Sequence, residues 1–156
     1  MRGVIRRPLL VTCCLSVVAL AAGCSAASTF EVTYMQYRVT CCQSSDINQV
    51  YHPGEAVVVH WMVSPGSPTT SSIATTLTLS LTLQGPYASV TALKSGSAAL
   101  YTLHAATLTT TDRSNTAPTS SIQLPGDLPP GFYNLTTKIA GPDSSQSGAS
   151  VVQLTG

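Results

Sequence analysis

The chain has 156 residues, of which 44% are hydrophobic but only 8% charged, where an average soluble domain carries about a quarter charged residues. Ser and Thr fill the gap, at about a quarter of the chain. Seven basic against six acidic residues leave +1, which excludes the concentrated basic face of a nucleic-acid binder, and the hydrophobic content excludes disorder of the charged, apolar-poor kind. In chain order, residues 1–23 predict a helical export signal. Arg2, Arg6 and Arg7 form its positive start, and residues 9–22 are uncharged and mostly apolar. That run is shorter than the ~20 apolar residues a membrane-crossing helix needs. Residues 24–29 form a short tether, and residues 30–156 form one folded body.

From residue 30 onward the hydrophobic period is two, which predicts strands. Residues 30–42 are rich in β-formers, with a slip in alternation near Tyr34 and Met35 of the kind a bulge causes. Residues 44–53 are expected to form a polar loop. Residues 56–63 make a strand with Val57, Val59, Trp61 and Val63 on one face and Val58, His60 and Met62 on the other. The cleanest strand places Leu77, Leu79, Leu81 and Leu83 inward, alternating with Thr, Ser and Gln, and is expected to end at Gly85-Pro86. Residues 87–94 and 98–111 are further strand candidates. A loop over 112–118 precedes strands at 120–124, 132–139 and 149–154. No window shows helical periodicity of useful length. Seven or eight short strands separated by turn signals predict an all-β antiparallel sandwich.

Two motifs carry resemblances. Ala21-Ala22-Gly23 leading into Cys24 resembles the lipobox of bacterial lipoproteins. That resemblance implies cleavage after Gly23, a lipid on the Cys24 sulfur, and residence on the extracytoplasmic side of the cell membrane. Several acyl chains hold a protein on a bilayer far more firmly than one. Arg6-Arg7 ahead of Leu9-Leu10 is faintly similar to a twin-arginine signal, so the export route stays open between the two systems. Removal of the signal leaves four basic residues against six acidic ones, a charge of −2. No basic patch remains to hold anionic headgroups, so membrane contact is expected through the lipid alone.

The second motif is Leu128-Pro129-Pro130-Gly131-Phe132-Tyr133-Asn134-Leu135, which resembles the entry to strand F of immunoglobulin-like and fibronectin type III domains. There a Tyr after a Pro/Gly turn bonds back to the backbone as the tyrosine corner, a role that would fall to Tyr133. Gly54-Glu55-Ala56-Val57-Val58-Val59-His60-Trp61 is similar to a B strand carrying a core Trp. Residues 50–155 together resemble bacterial immunoglobulin-like envelope domains and the Ser/Thr-rich KNH-type domains of fungal cell-wall proteins. The resemblance implies a single immunoglobulin-like sandwich in an extracytoplasmic setting and brings no catalytic residue with it.

Cys41-Cys42 is the most unusual chemical feature. Cys13 and Cys14 belong to the signal and Cys24 would carry lipid, which leaves two adjacent thiols without a distant partner. Three outcomes compete: a vicinal disulfide, a link to another chain, or burial of Cys41 as a small hydrophobe. With His52, His60, His104, Met35 and Met62, the two thiols also form a set of soft ligands suited to copper(I), although no Cys-x-His-x-Met cluster accompanies them. No nucleophile elbow and no close carboxylate pair suggests an enzyme. Tyr51, Tyr87 and Tyr101, near turns, are candidates to present flat faces to a glycan or an envelope protein. The expectation is a non-catalytic binding or structural module without a cofactor, with an envelope copper or thiol-redox protein as the alternative.

Overall fold

The computed structural model describes residues 31–47 and 50–156; the signal, Cys24 and the tether lie outside the described residues. The described chain is all-β in character, with ten strands and two short helices among the described residues. Its centre is β5 (Thr76–Tyr87). One edge of β5 pairs antiparallel with β9 (Gly131–Ala140). The other edge carries β7 (Leu108–Thr111) along its first half and β6 (Tyr101–His104) near its end. Beyond β9 lies β10 (Ser145–Leu154), paired from Ser145 with Ala140 to Leu154 with Gly131. The two-residue β2 (Val50–Tyr51) adds in parallel at Gln153 and Leu154.

The facing layer is built around β3 (Ala56–His60) and β4 (Met62–Thr69), separated only by Trp61. β3 pairs with β8 (Thr119–Gln123) and β4 with β1 (Tyr34–Thr40), both antiparallel. At the break, the Trp61 amide donates to Pro118 O (3.0 Å), while His60 O accepts from the Gln43 amide (3.4 Å). The run therefore bonds to β8 along its first half and to β1 along its second.

Strict alternation explains the core. Leu79, Leu81 and Leu83 of β5, Val57 and Val59 of β3, and Tyr133 and Leu135 of β9 are almost completely buried. They join Trp61, Ile122, Val152 and Leu154 in one apolar cluster shared by both layers. Burial of one such side chain is worth about 1.5–3 kcal/mol, so the layered, sandwich-like body is held by its leucines and valines. The outward positions of β5 are Thr, Ser and Gln, residues that suit a half-exposed pleated surface.

Several local expectations change. Residues 87–94 are not a strand: β5 ends at Tyr87, and Val90–Lys94 forms helix α2. Ser89 caps α2 by accepting from the Ala92 amide at 3.1 Å, which satisfies a helix-start donor that a strand would have used otherwise. Gly85-Pro86 does not end β5; the strand continues through a cis Gly85–Pro86 peptide, with a register shift between Gln84 and Tyr87. The loop at 44–53 contains helix α1 (Ser44–Ile47) as well as β2. Residues 98–111 split into β6 and β7, with the Ala105 amide still held by Leu81 O (3.0 Å). In β1 the register shift falls between Met35 and Tyr37, beside the expected slip.

Candidate functional site

The richest polar chemistry lies where β1 begins, at the Thr76 end of β5. Asp112, just past β7, is 8% exposed, and both carboxylate oxygens are used. Oδ1 accepts from the Thr75 amide (2.8 Å) and Oδ2 from Gln36 Nε2 (3.0 Å). The Asp112 backbone closes the same junction, its amide donating to Thr75 O (3.0 Å) and its carbonyl accepting from the Tyr37 amide (2.6 Å). One residue thus ties β1 to the segment leading into β5. Next to it, Arg113 Nε lies 3.7 Å from Asp112 Oδ1, its guanidinium stacks 4.7 Å from the Tyr34 ring centroid, and Nη2 donates to Ser71 O (2.5 Å) and Ile73 O (3.4 Å). Arg113 Nε and Nη1, shielded from solvent, make no hydrogen bond.

This network walls an open cleft of about 340 Å³. Its apolar side includes Val39, Leu77 and Ile139; its polar side includes Gln36, Ser67 and Thr75. A cleft of this size accommodates a small ligand or a short side-chain cluster. Around the same end, Val32, Tyr34, Met35 and Ile73 expose large apolar surfaces, and Ile73 is 78% exposed.

The other end of β1 carries Cys41 and Cys42. The structure sets the two sulfurs against each other, and both residues are half-buried against the core. Cys41 faces Thr137, Ile139 and Gly148 across a narrow void of about 80 Å³. Close in sequence, buried Asp46 accepts from the His60 amide through Oδ2 (2.8 Å), and its Oδ1 lies 3.2 Å from His60 Nδ1. The Tyr51 hydroxyl donates to Asp46 O (2.9 Å). Burial, and after it the carboxylates of Asp46 and Glu55, raises the pKa of Tyr51.

Trp61 is 1% exposed, and its indole Nε1 donates to Ser120 Oγ (2.9 Å). Tyr133 is equally buried, and its hydroxyl donates to Pro129 O, four residues upstream, at 2.7 Å. Burial, with a smaller contribution from Tyr101, pushes the Tyr133 phenol up to about 12. Tyr51 and Tyr87 present no flat face to a partner, because both lie inside the body; Tyr101 keeps 43% of its surface exposed.

The soft ligands do not converge. His60 pairs with Asp46, His52 meets Thr155 and His104 meets Thr82, while Met35 and Met62 are exposed. Among the described residues no group of three or more His, Cys, Asp or Glu side chains is placed to hold a metal ion. Sequence reasoning missed the Asp112 network altogether, since Gln36 and Thr75 lie 76 and 37 positions from it. Cys24 lies outside the described residues. Among the described residues no helix is long and apolar enough to cross a membrane.

No protein-family model matches the chain, and no curated protein matches it. Among solved structures, the chain is similar to Spo0M, a sporulation control protein from Bacillus subtilis, with a TM-score of 0.42 and 15% sequence identity. The match covers 79% of this chain and 50% of Spo0M, so the chain spans about half the length of that protein.

Proposed function

We propose that the chain is a lipid-anchored module of a bacterial cell envelope. Cys24, acylated after cleavage behind Gly23, holds the protein on the extracytoplasmic face of the cell membrane. Residues 30–156 form a single immunoglobulin-like sandwich that works without catalysis, as a binding or structural element toward an envelope protein or glycan. The observation that carries the fold reading is the Tyr133 hydroxyl bonded to Pro129 O beneath the Pro129-Pro130-Gly131 turn, the bond a tyrosine corner makes, with the buried Trp61 on the facing layer. The anchor reading rests on Ala21-Ala22-Gly23-Cys24. Metabolic labelling with palmitate tests it: label should enter the wild-type chain and be absent from Cys24→Ala. Label retained by Cys24→Ala would refute it.

One observation favours a second reading, an envelope thiol-redox or soft-metal protein: the Cys41 and Cys42 sulfurs lie together beside a narrow void. Thiol titration of the protein, with and without copper(I), separates the readings. A reversible couple or copper(I) binding supports the second; neither leaves the first.

A further inference from the structure

The segment between β4 and β5 is held unusually well for an exposed loop. Ser71 N donates to Thr69 Oγ1 (3.2 Å) and Ile73 N to Ser71 Oγ (3.3 Å). Arg113 clasps the carbonyls of Ser71 and Ile73, and Asp112 takes the Thr75 amide. Yet the one large apolar side chain of this segment, Ile73, is 78% exposed, and nothing in the body covers it. Arg113 forgoes two of its hydrogen bonds in this position, while its guanidinium lies on the Tyr34 ring. The result is an end of the body at which Ile73, Tyr34 and Met35, with Val32 just ahead of β1, are all exposed. Exposed large apolar side chains at one end of a body mark a contact with another apolar phase.

The position of this rim in the chain says which phase. Val32 is only eight positions beyond Cys24, a span of at most about 28 Å even when fully extended. The rim is thus the first part of the described body that the chain reaches after Cys24. Tyr is a side chain favoured at the membrane–water interface, with an apolar ring and a polar tip. Leu100, equally exposed at 79%, sits at the opposite end: its neighbour Tyr101 pairs with Gly85, whereas Thr111 pairs with Thr76. Nine residue steps of β5 separate those pairs, about 30 Å.

We propose that the rim formed by Val32, Tyr34, Met35 and Ile73 seats on the bilayer interface, so that the domain rests against the membrane instead of swinging on its tether. The inference rests on the Cys24 anchor proposed above and adds a second, apolar contact that the charge pattern alone did not suggest. The contact needs no anionic lipid, because the rim is apolar.

The experiment uses the full chain, processed in a lipoprotein-modifying host and reconstituted into phosphatidylcholine vesicles with brominated acyl chains. Two variants, Ile73→Trp and Leu100→Trp, place a reporter at an exposed site at either end, against the constant background of buried Trp61. Side chains seated at an interface lie roughly 5–10 Å into the headgroup–acyl boundary, so the added Ile73→Trp emission should shift to the blue and lose about half its intensity or more. The Leu100→Trp emission should be unaffected. Val32→Trp provides a second reporter and should behave like Ile73→Trp. If the chain floats with the vesicles but neither rim reporter is quenched, the anchor stands and the seating is overturned. Equal quenching of Ile73→Trp and Leu100→Trp overturns the assigned orientation. A chain that does not float with the vesicles overturns the anchor, and the seating falls with it.

Discussion

Gly85 lies against the ring of Tyr133, and its replacement by Ala tests how tightly that ring is held. A Cβ at position 85 would sit 2.5 Å from Tyr133 Cδ1, 2.8 Å from Cγ and 2.9 Å from Phe132 O, well inside the ~3.5–4.0 Å optimum for carbon contacts. The ring has nowhere to go. It is 1% exposed, belongs to the same core as Leu83 and Leu135, and is tied through its hydroxyl to Pro129 O. Overpacking of this kind costs about 1–3 kcal/mol, and displacement of the ring would also lose a hydrogen bond worth about 1 kcal/mol. Gly85→Ala should therefore destabilise by about 2–4 kcal/mol, read as a lower urea midpoint at unchanged slope. A double-mutant cycle with Tyr133→Leu locates the clash. In the Leu background the cost of Gly85→Ala should fall by about 1–2 kcal/mol, with the Phe132 carbonyl accounting for the remainder. Equal costs in both backgrounds would refute the Tyr133 ring as the reason for glycine at this position.

Trp61→Phe removes the donor to Ser120 Oγ, a hydroxyl on a residue only 3% exposed, and should cost about 2–4 kcal/mol by thermal or urea denaturation; adding Ser120→Ala should recover part of that loss. Asp112→Ala strands the Thr75 amide, Gln36 Nε2 and the Arg113 guanidinium, with an expected cost of about 2–4 kcal/mol and faster hydrogen exchange at the Thr75 amide. Tyr133 and Tyr51 both have phenols whose pKa is raised by burial, that of Tyr133 to about 12. A raised folded-state pKa means stability is intact below the unfolded value near 10 and is lost as pH rises toward the folded value. The unfolding midpoint should accordingly fall between pH 10 and about 12, and Tyr133→Phe should flatten that decline.

The strands that were legible from sequence are those whose partners are all apolar. Leu79, Leu81 and Leu83 alternate with Thr and Ser because every second position meets the same core, and the period needs no knowledge of what lies opposite. Val57 and Val59 follow the same rule, and Tyr133 was recognisable because its bond reaches only four residues back. What was hidden depends on distant pairs. Asp112 looks like a loop residue until Gln36 and Thr75, far away in sequence, reach its carboxylate. Tyr51 looks like an exposed turn aromatic until Asp46 O accepts its hydroxyl and β10 pairs with it. Helix α2 was missed because Val90–Lys94 is a single capped turn or so, too short to show a period. The break at Trp61 was missed because alternation runs through it unchanged; only the hydrogen bonds change sides.

The low charge of the chain takes on a structural meaning once the acids are located. Of the six acidic residues beyond the signal, Asp46 and Asp112 are withdrawn from the surface. Each accepts from a backbone amide at a junction where the ladders cannot: Asp46 from His60, at the interruption between β3 and β4, and Asp112 from Thr75, at the entry to β5. Arg113 is largely withdrawn as well, stacked on Tyr34 and clasping the loop that carries Ile73. Three charged side chains thus sit at chain crossings, where the two oxygens of one carboxylate accept from two donors at once. The outer positions of β5 from Thr76 to Gln84 are left to Thr, Ser and Gln. Such a surface gives little protection to β10, whose outer edge meets β2 only at Gln153 and Leu154 and is uncharged throughout. Natural sheets usually guard a long edge of that kind with Lys, Pro or a bulge. β4, by contrast, carries Pro65 and Pro68.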